Sequence, residues 1–218
     1  VLRGAKSMFI ATPSGTGGTV SAPYCYSVYL RHLVMADLHG LATVPRTIVE
    51  LGPGDSMGIG LMALLTGAEQ YYGIDAVRHA SNEVNRLVFD ELITLLSDQA
   101  PIPSGGEFTE VLPKLSDYRF PRGLLGEARL TRALAPERLK RLRNALSGDL
   151  TSGPINYLAP MGRMDEIPTN SVDLIISQAV MEHVDQLEEI YAECFRILKP
   201  GGFMSHQIDL RCHDTAPE

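Results

Sequence analysis

The stretch Val49-Glu50-Leu51-Gly52-Pro53-Gly54 constrains the fold more than any other part of the chain. Arg46–Leu51 is short, β-branched and closed by a Gly-Pro-Gly turn, which predicts a buried strand. Ser56 or Asp55 then stands where a helix N-cap belongs, ahead of Ile59, Met62, Ala63 and Leu65, and Gly67 stops the helix. Gln70–Asp75 reads as a second strand ending in an acid. A strand, a helix and another strand in so few residues imply parallel pairing through a right-handed crossover. The turn also carries chemistry. Its glycines let a ligand approach the backbone, and the helix N-terminus behind them favours a carboxylate or phosphate. Asp75, about 20 residues on, stands where an acid accepts hydrogen bonds from ribose hydroxyls, so the pair points to an adenosine-containing cofactor.

The rest of the chain continues the alternation. Residues 1–20 are rich in turn formers, but no Gly-Lys-Ser/Thr follows to make a phosphate-cradling loop. A helix is expected from Ala22 to about Leu38, with Pro23 in its first turn and Tyr24, Tyr26 and Tyr29 as packing rings. Another is expected from Ser81 to Leu96. Proline and glycine break up 97–122, and two helices follow at 124–134 and 136–146. Pro154–Ala159 and Ser171–Ser177 read as strands. Asp185 with Glu188 suggests a capping box, Lys199-Pro200-Gly201-Gly202 stops that helix, and Phe203–Leu210 is a fifth strand. The 218 residues therefore make one domain: a helical cap at 1–45, a core at 46–96 and 154–210, and a helical insertion at 97–153. Residues 76–153 are far more than a crossover helix needs, and the insertion is expected to lie over the cofactor mouth as a lid or recognition element.

Charge and composition exclude several classes. The net charge is −7, and there is no Trp, which argues against a nucleic-acid partner needing basic surface and stacking platforms. Three cysteines (Cys25, Cys194, Cys212) without a C-x-x-C suit free thiols in a reducing compartment. There is no apolar run of membrane-spanning length, and the opening Val1-Leu2-Arg3-Gly4 is no signal peptide, so a cytoplasmic protein is expected. Its lack of an initiator Met suggests a piece of a longer product. Arg129, Arg132, Arg138, Lys140, Arg141 and Arg143 form either a solvated helix face or a contact surface for an anionic acceptor or partner.

Two cofactors compete for the turn. The dinucleotide fingerprint G-x-G-x-x-G needs glycine at position 57, where Met57 stands, so the NAD reading fails at its third glycine. Glu50-x-Gly52-x-Gly54 instead resembles the first motif of the class I S-adenosylmethionine-dependent methyltransferases, of the type 11 kind. Gly73-Ile74-Asp75 resembles their second motif, and Asp165–Ser177 their approach to strand 4. Met181-Glu182-His183-Val184 and Phe195–Gly202 resemble the connection from strand 4 to strand 5. The resemblance implies an α/β, Rossmann-like sheet of parallel strands ordered 3-2-1-4-5 with helices on both faces, and S-adenosyl-L-methionine as cofactor. Strands 6 and 7 of the family are missing from the 218 residues, which would leave strand 5 an exposed edge.

By the same resemblance Glu50, Gly52 and Gly54 would hold the methionine end, and Pro53 and Ser56 would join them in binding the cofactor. Asp75 would bind the ribose, Ile74 and Ala76 would flank the adenine, and Met164 or Asp165 would read its amino group. Ser177 and Gln178 would lie beside the methyl group. The Asn-Pro-Pro-Tyr motif of amino methylation on bases is absent; Ser177-Gln178-Ala179-Val180 stands there. His206, at the end of strand 5, is the candidate general base toward a hydroxyl of a small-molecule or sugar-type acceptor, or else a structural histidine. His183 reads as a packing or capping residue. His206, Asp209, Cys212 and His213 match no standard metal spacing, so no metal is expected. An NAD-dependent oxidoreductase and a non-catalytic adenosine-binding module are the alternatives.

Overall fold

The computed structural model describes residues 18–210. Five strands, β1 (Thr47–Leu51), β2 (Gln70–Ile74), β3 (Ile155–Leu158), β4 (Val172–Gln178) and β5 (Leu198–Gln207), form one sheet in the order β3-β2-β1-β4-β5. All pairings are parallel. β1 and β4 are almost wholly buried, as parallel strands covered on both faces must be. The order reverses between β1 and β4, so the crevice for a ligand opens at the C-terminal ends of those strands.

One face of the sheet is covered by α1 (Ala22–Leu38), α2 (Gly58–Leu65) and α3 (Asn82–Ser97), the other by α6 (Leu187–Ile197). Ser21 caps α1 and Ser81 caps α3, each hydroxyl accepting a backbone N–H three residues on. Every residue of α2 is buried, which Gly58 and Gly60 permit. A β-carbon on Gly58 would stand 2.3 Å from Cys25 Sγ, and one on Gly60 would stand 1.9 Å from the Tyr71 ring.

Three local expectations are corrected. The capping box at Asp185 does not form: α6 begins at Leu187 behind Gln186, whose side chain makes no cap. β5 starts at Leu198, directly where α6 ends. The ladder to β4 slips between Val172–Leu198 and Leu174–Phe203, so Lys199–Gly202 bulges within the strand rather than preceding it. The hydrogen bond that would cap α2 from position 55 or 56 comes from Ser56, whose hydroxyl accepts from Gly58, but the cap position itself is Met57.

The two helices of the insertion do not cover the crevice. Its helices α4 (Glu127–Ala133) and α5 (Pro136–Leu146) reach the far end of α2. Arg129 Nε donates to the Thr66 carbonyl at 2.7 Å, and Arg138 donates to those of Leu64 and Ala68. These cations satisfy orphan carbonyls at the negative end of a helix dipole, so this part of the basic run is internal glue and not an anion-binding surface. Arg143 pairs with Asp90 on α3. The lid expectation therefore fails for both helices. Only the loop before them approaches β5. It crosses α1, where Arg31, with no exposed surface, donates to the carbonyls of Pro103 and Pro113.

Candidate active site

The glycine turn has the backbone its sequence requires. Gly52 and Gly54 have φ of +67° and +73°, in the left-handed region that side chains disfavour. A β-carbon on Gly52 would also meet Val180 at 2.6 Å. Gly52 N–H donates to the Ile74 carbonyl, tying the turn to the end of β2. Thr19 closes the turn from the other side: its hydroxyl accepts from Ser56 N–H, and its carbonyl accepts from the hydroxyl of fully buried Ser56.

Asp75 follows β2 and is 5% exposed. Its Oδ2 accepts from Gly54 N–H at 3.3 Å and from the Tyr157 hydroxyl at 3.2 Å, and Oδ1 accepts from Ala76 N–H. Burial raises its pKa, and these hydrogen bonds and nearby His79 pull the other way. Glu50, at 2% exposure, is the second acid of the crevice. Its Oε2 accepts from Tyr71 Oη at 2.7 Å and from Gly60 N–H at 3.1 Å, so the carboxylate side of Glu50 braces the start of α2. Desolvation outweighs both donors and pushes Glu50 up to about 8. Ile74 is buried at the end of β2, and Pro53 is buried in the turn.

At the tips of β4 and β5 the parallel register puts Ser177 opposite His206. Ser177 Oγ and His206 Nδ1 are 2.8 Å apart, and the imidazole stands edge-on to Tyr191 of α6. His206 Nε2 is buried without a hydrogen-bond partner, and burial lowers its pKa. A second histidine joins this group. His32 of α1 is 4% exposed, its Nδ1 lies 2.7 Å from Ser205 Oγ, and burial together with His206 pushes it down to about 4. His32 Nε2 and Gln178 Oε1 are likewise buried and unpartnered. A cavity of about 570 Å³ runs along α1 and β5 beside them, lined by His32, Lys114, Phe203, Ser205 and His206 among others.

Residues 129–205 match the family model described as a methyltransferase domain. That span runs from α4 into β5 and takes in β3 and β4; the glycine turn and Asp75 precede it. Over that span the chain is similar to the methyltransferase domain family. Phosphoethanolamine N-methyltransferase 1 of Haemonchus contortus, solved with phosphoethanolamine and S-adenosylhomocysteine, is similar at 13% identity and a TM-score of 0.40. The similarity covers 87% of this chain and 28% of that one, so the chain spans less than a third of that protein's length. A search of curated proteins gave no significant match.

The resemblance read from the sequence implies an adenine-reading residue after strand 3, at Met164 or Asp165. Met164 is buried in the core with Leu158 and Ile74, and its carbonyl accepts from Arg196. Asp165 is exposed on the short 3-10 turn Met161–Glu166. Neither side chain is brought to Asp75 by a hydrogen bond. Ala76 is half-buried beside Asp75. Among the described residues no group of three side chains could hold a metal ion, and Cys212 and His213 lie outside them. No described helix is long and apolar enough to cross a membrane. Sequence reasoning missed His32, Tyr71 and Tyr157. No motif marks them; they reach the site only through the packing of α1 and the pairing of β2 with β1 and β3.

Proposed function

We propose that this chain transfers the methyl group of S-adenosylmethionine to a hydroxyl of a small acceptor, at the crevice between the β1 turn and the tips of β4 and β5. The observation that carries the reading is the pairing of Gly54, at positive φ, with buried Asp75 through one hydrogen bond at the strand ends. Such a cradle fits the cofactor: backbone opened by glycine for its methionine end, and a carboxylate with Oδ1 shared only with its own chain neighbour for a ribose hydroxyl. The cofactor supplies an electrophilic methyl on sulfonium, displaced in line. The chain's own work is then alignment and exclusion of water, which can account for much of the acceleration.

The acceptor proton needs a destination, and His206 supplies one. With Nδ1–H donating to Ser177 Oγ, the Nε2 lone pair is free to take the proton of an acceptor hydroxyl. Its lowered pKa keeps the imidazole neutral near pH 7, as a base must be. Met57 in place of the third fingerprint glycine disfavours the dinucleotide alternative. Titration calorimetry with S-adenosylhomocysteine and with NAD tests the reading. Binding of the first and not the second is expected, and the reverse result would overturn it. An acceptor screen with methyl-labelled cofactor then separates an enzyme from a binding module.

A further inference from the structure

Each acid of the crevice is met from behind by one buried tyrosine. Tyr71 of β2 serves Glu50, and Tyr157 of β3 serves Asp75. The second case does more than satisfy a lone pair. Tyr157 Oη donates to Asp75 Oδ2 at 3.2 Å and accepts from two successive backbone amides, His79 N–H at 2.9 Å and Ala80 N–H at 3.3 Å. Its own carbonyl accepts from Arg78, whose guanidinium lies 4.7 Å above the phenol ring. One side chain thus ties the carboxylate and the whole 75–80 segment to the edge of the sheet. The hydroxyl has no exposed surface to recruit other partners: Tyr157 is fully buried.

We propose that Tyr157 is a positioning residue for ribose recognition, holding the Asp75 carboxylate and the 75–80 loop in the one orientation in which both vicinal hydroxyls of a nucleoside can be met. The inference rests on the cofactor reading above. Its physical basis is the geometry of a carboxylate whose Cβ–Cγ torsion is broad. Without the Tyr157 anchor, only the 3.3 Å bond from Gly54 N–H holds Oδ2, and the group can turn about that torsion and leave a ribose with one acceptor. The anchor stays a donor at any working pH, because burial and the neighbouring Asp75 push the phenol up to about 12. Two amides donating into the same oxygen polarise it and strengthen the hydrogen bond it gives.

The test compares the affinities of S-adenosylhomocysteine and its 2′-deoxy analogue, measured by calorimetry. Wild type should prefer the ribonucleoside by about tenfold or more, the scale of a hydrogen bond to a charged acceptor. Tyr157→Phe keeps the ring and removes the anchor, and should shrink that ratio roughly fivefold. In an Asp75→Asn background the same change should leave the ratio unmoved, because Tyr157 acts only through the carboxylate. A folded Tyr157→Phe protein with the full wild-type ratio overturns the positioning role and leaves the cofactor reading standing. Failure of wild type to bind either nucleoside overturns both. Should Tyr157→Phe not fold, the hydroxyl proton of buried Tyr157 in wild type is followed by NMR through its contacts to the His79 and Ala80 amides. It should shift on adding S-adenosylhomocysteine and much less on adding the deoxy analogue; equal shifts would sink the proposal.

Discussion

At the scale of single residues, the crevice depends on two buried acids, Asp75 and Glu50. Asp75 is the proposed ribose ligand, and Asp75→Ala should weaken S-adenosylhomocysteine binding by about 1–3 kcal/mol in a folded protein, read by calorimetry. Unchanged affinity would remove it from the site. Glu50 makes a prediction about pH. Its pKa rises from an ordinary 4.5 to about 8 on folding, so between those values the folded chain holds a proton that the unfolded chain has lost. The stability tied to that proton is complete below pH 4.5 and is lost as pH rises through 8. Urea denaturation across this range should therefore show Glu50→Gln with a flatter pH dependence than wild type. A parallel pair of curves would mean that Glu50 is ionised in the folded state. The motif E-x-G-x-G made Glu50 legible in the sequence, and the acid closing Gly73-Ile74-Asp75 made Asp75 legible. That Glu50 braces α2 was not legible, because its donors Tyr71 and Gly60 are neighbours only once β2 pairs with β1 and α2 packs over it.

At the scale of elements, strands and helices were readable wherever one period held over a whole segment, and boundaries failed where two signals overlapped. Lys199–Gly202 is a strong helix stop, yet it bulges within β5 between Leu198 and Phe203, which both pair with β4, and only the β4–β5 register shows it. The insertion was legible as two helices but not as to place, since an amphipathic helix with arginines on one side suits a lid and a base equally well. Its actual seat yields a prediction. Arg129 donates to three carbonyls, of Thr43, Leu124 and Thr66, and ties α4 to the end of α2. Arg129→Met keeps the aliphatic stem and leaves those acceptors unmet, which should cost about 2–3 kcal/mol of stability by urea denaturation. Affinity for S-adenosylhomocysteine should stay within about twofold, a change of less than half a kcal/mol. A large loss of affinity with little loss of stability would show α4 to be part of the site after all.

At the scale of the whole molecule, the sheet has a working end and a supporting end. The glycine turn, Asp75, Ser177 and His206 stand at the C-terminal strand ends, whereas α4 and α5 brace the opposite end of α2 and the flank of α3. Cofactor bound at the turn should thus order what surrounds it and leave the insertion helices largely as they were. Ligand binding to the native state alone stabilises by about 2.7 kcal/mol at a hundredfold excess over Kd. That gain should raise protection from hydrogen exchange most at 52–60 and 75–80, where opening has to break the ligand's own contacts. Thr19–Tyr29 should follow, because Ser56 is joined to Thr19 on both its amide and its hydroxyl, and Gly58 packs on Cys25. α4 and α5 should gain protection only to the extent that they open by global unfolding. Exchange measured by mass spectrometry with and without S-adenosylhomocysteine distinguishes the two arrangements. Selective protection of 127–146 equal to that of the turn would mean that these helices close over the ligand and that their seat on α2 is only one of their positions.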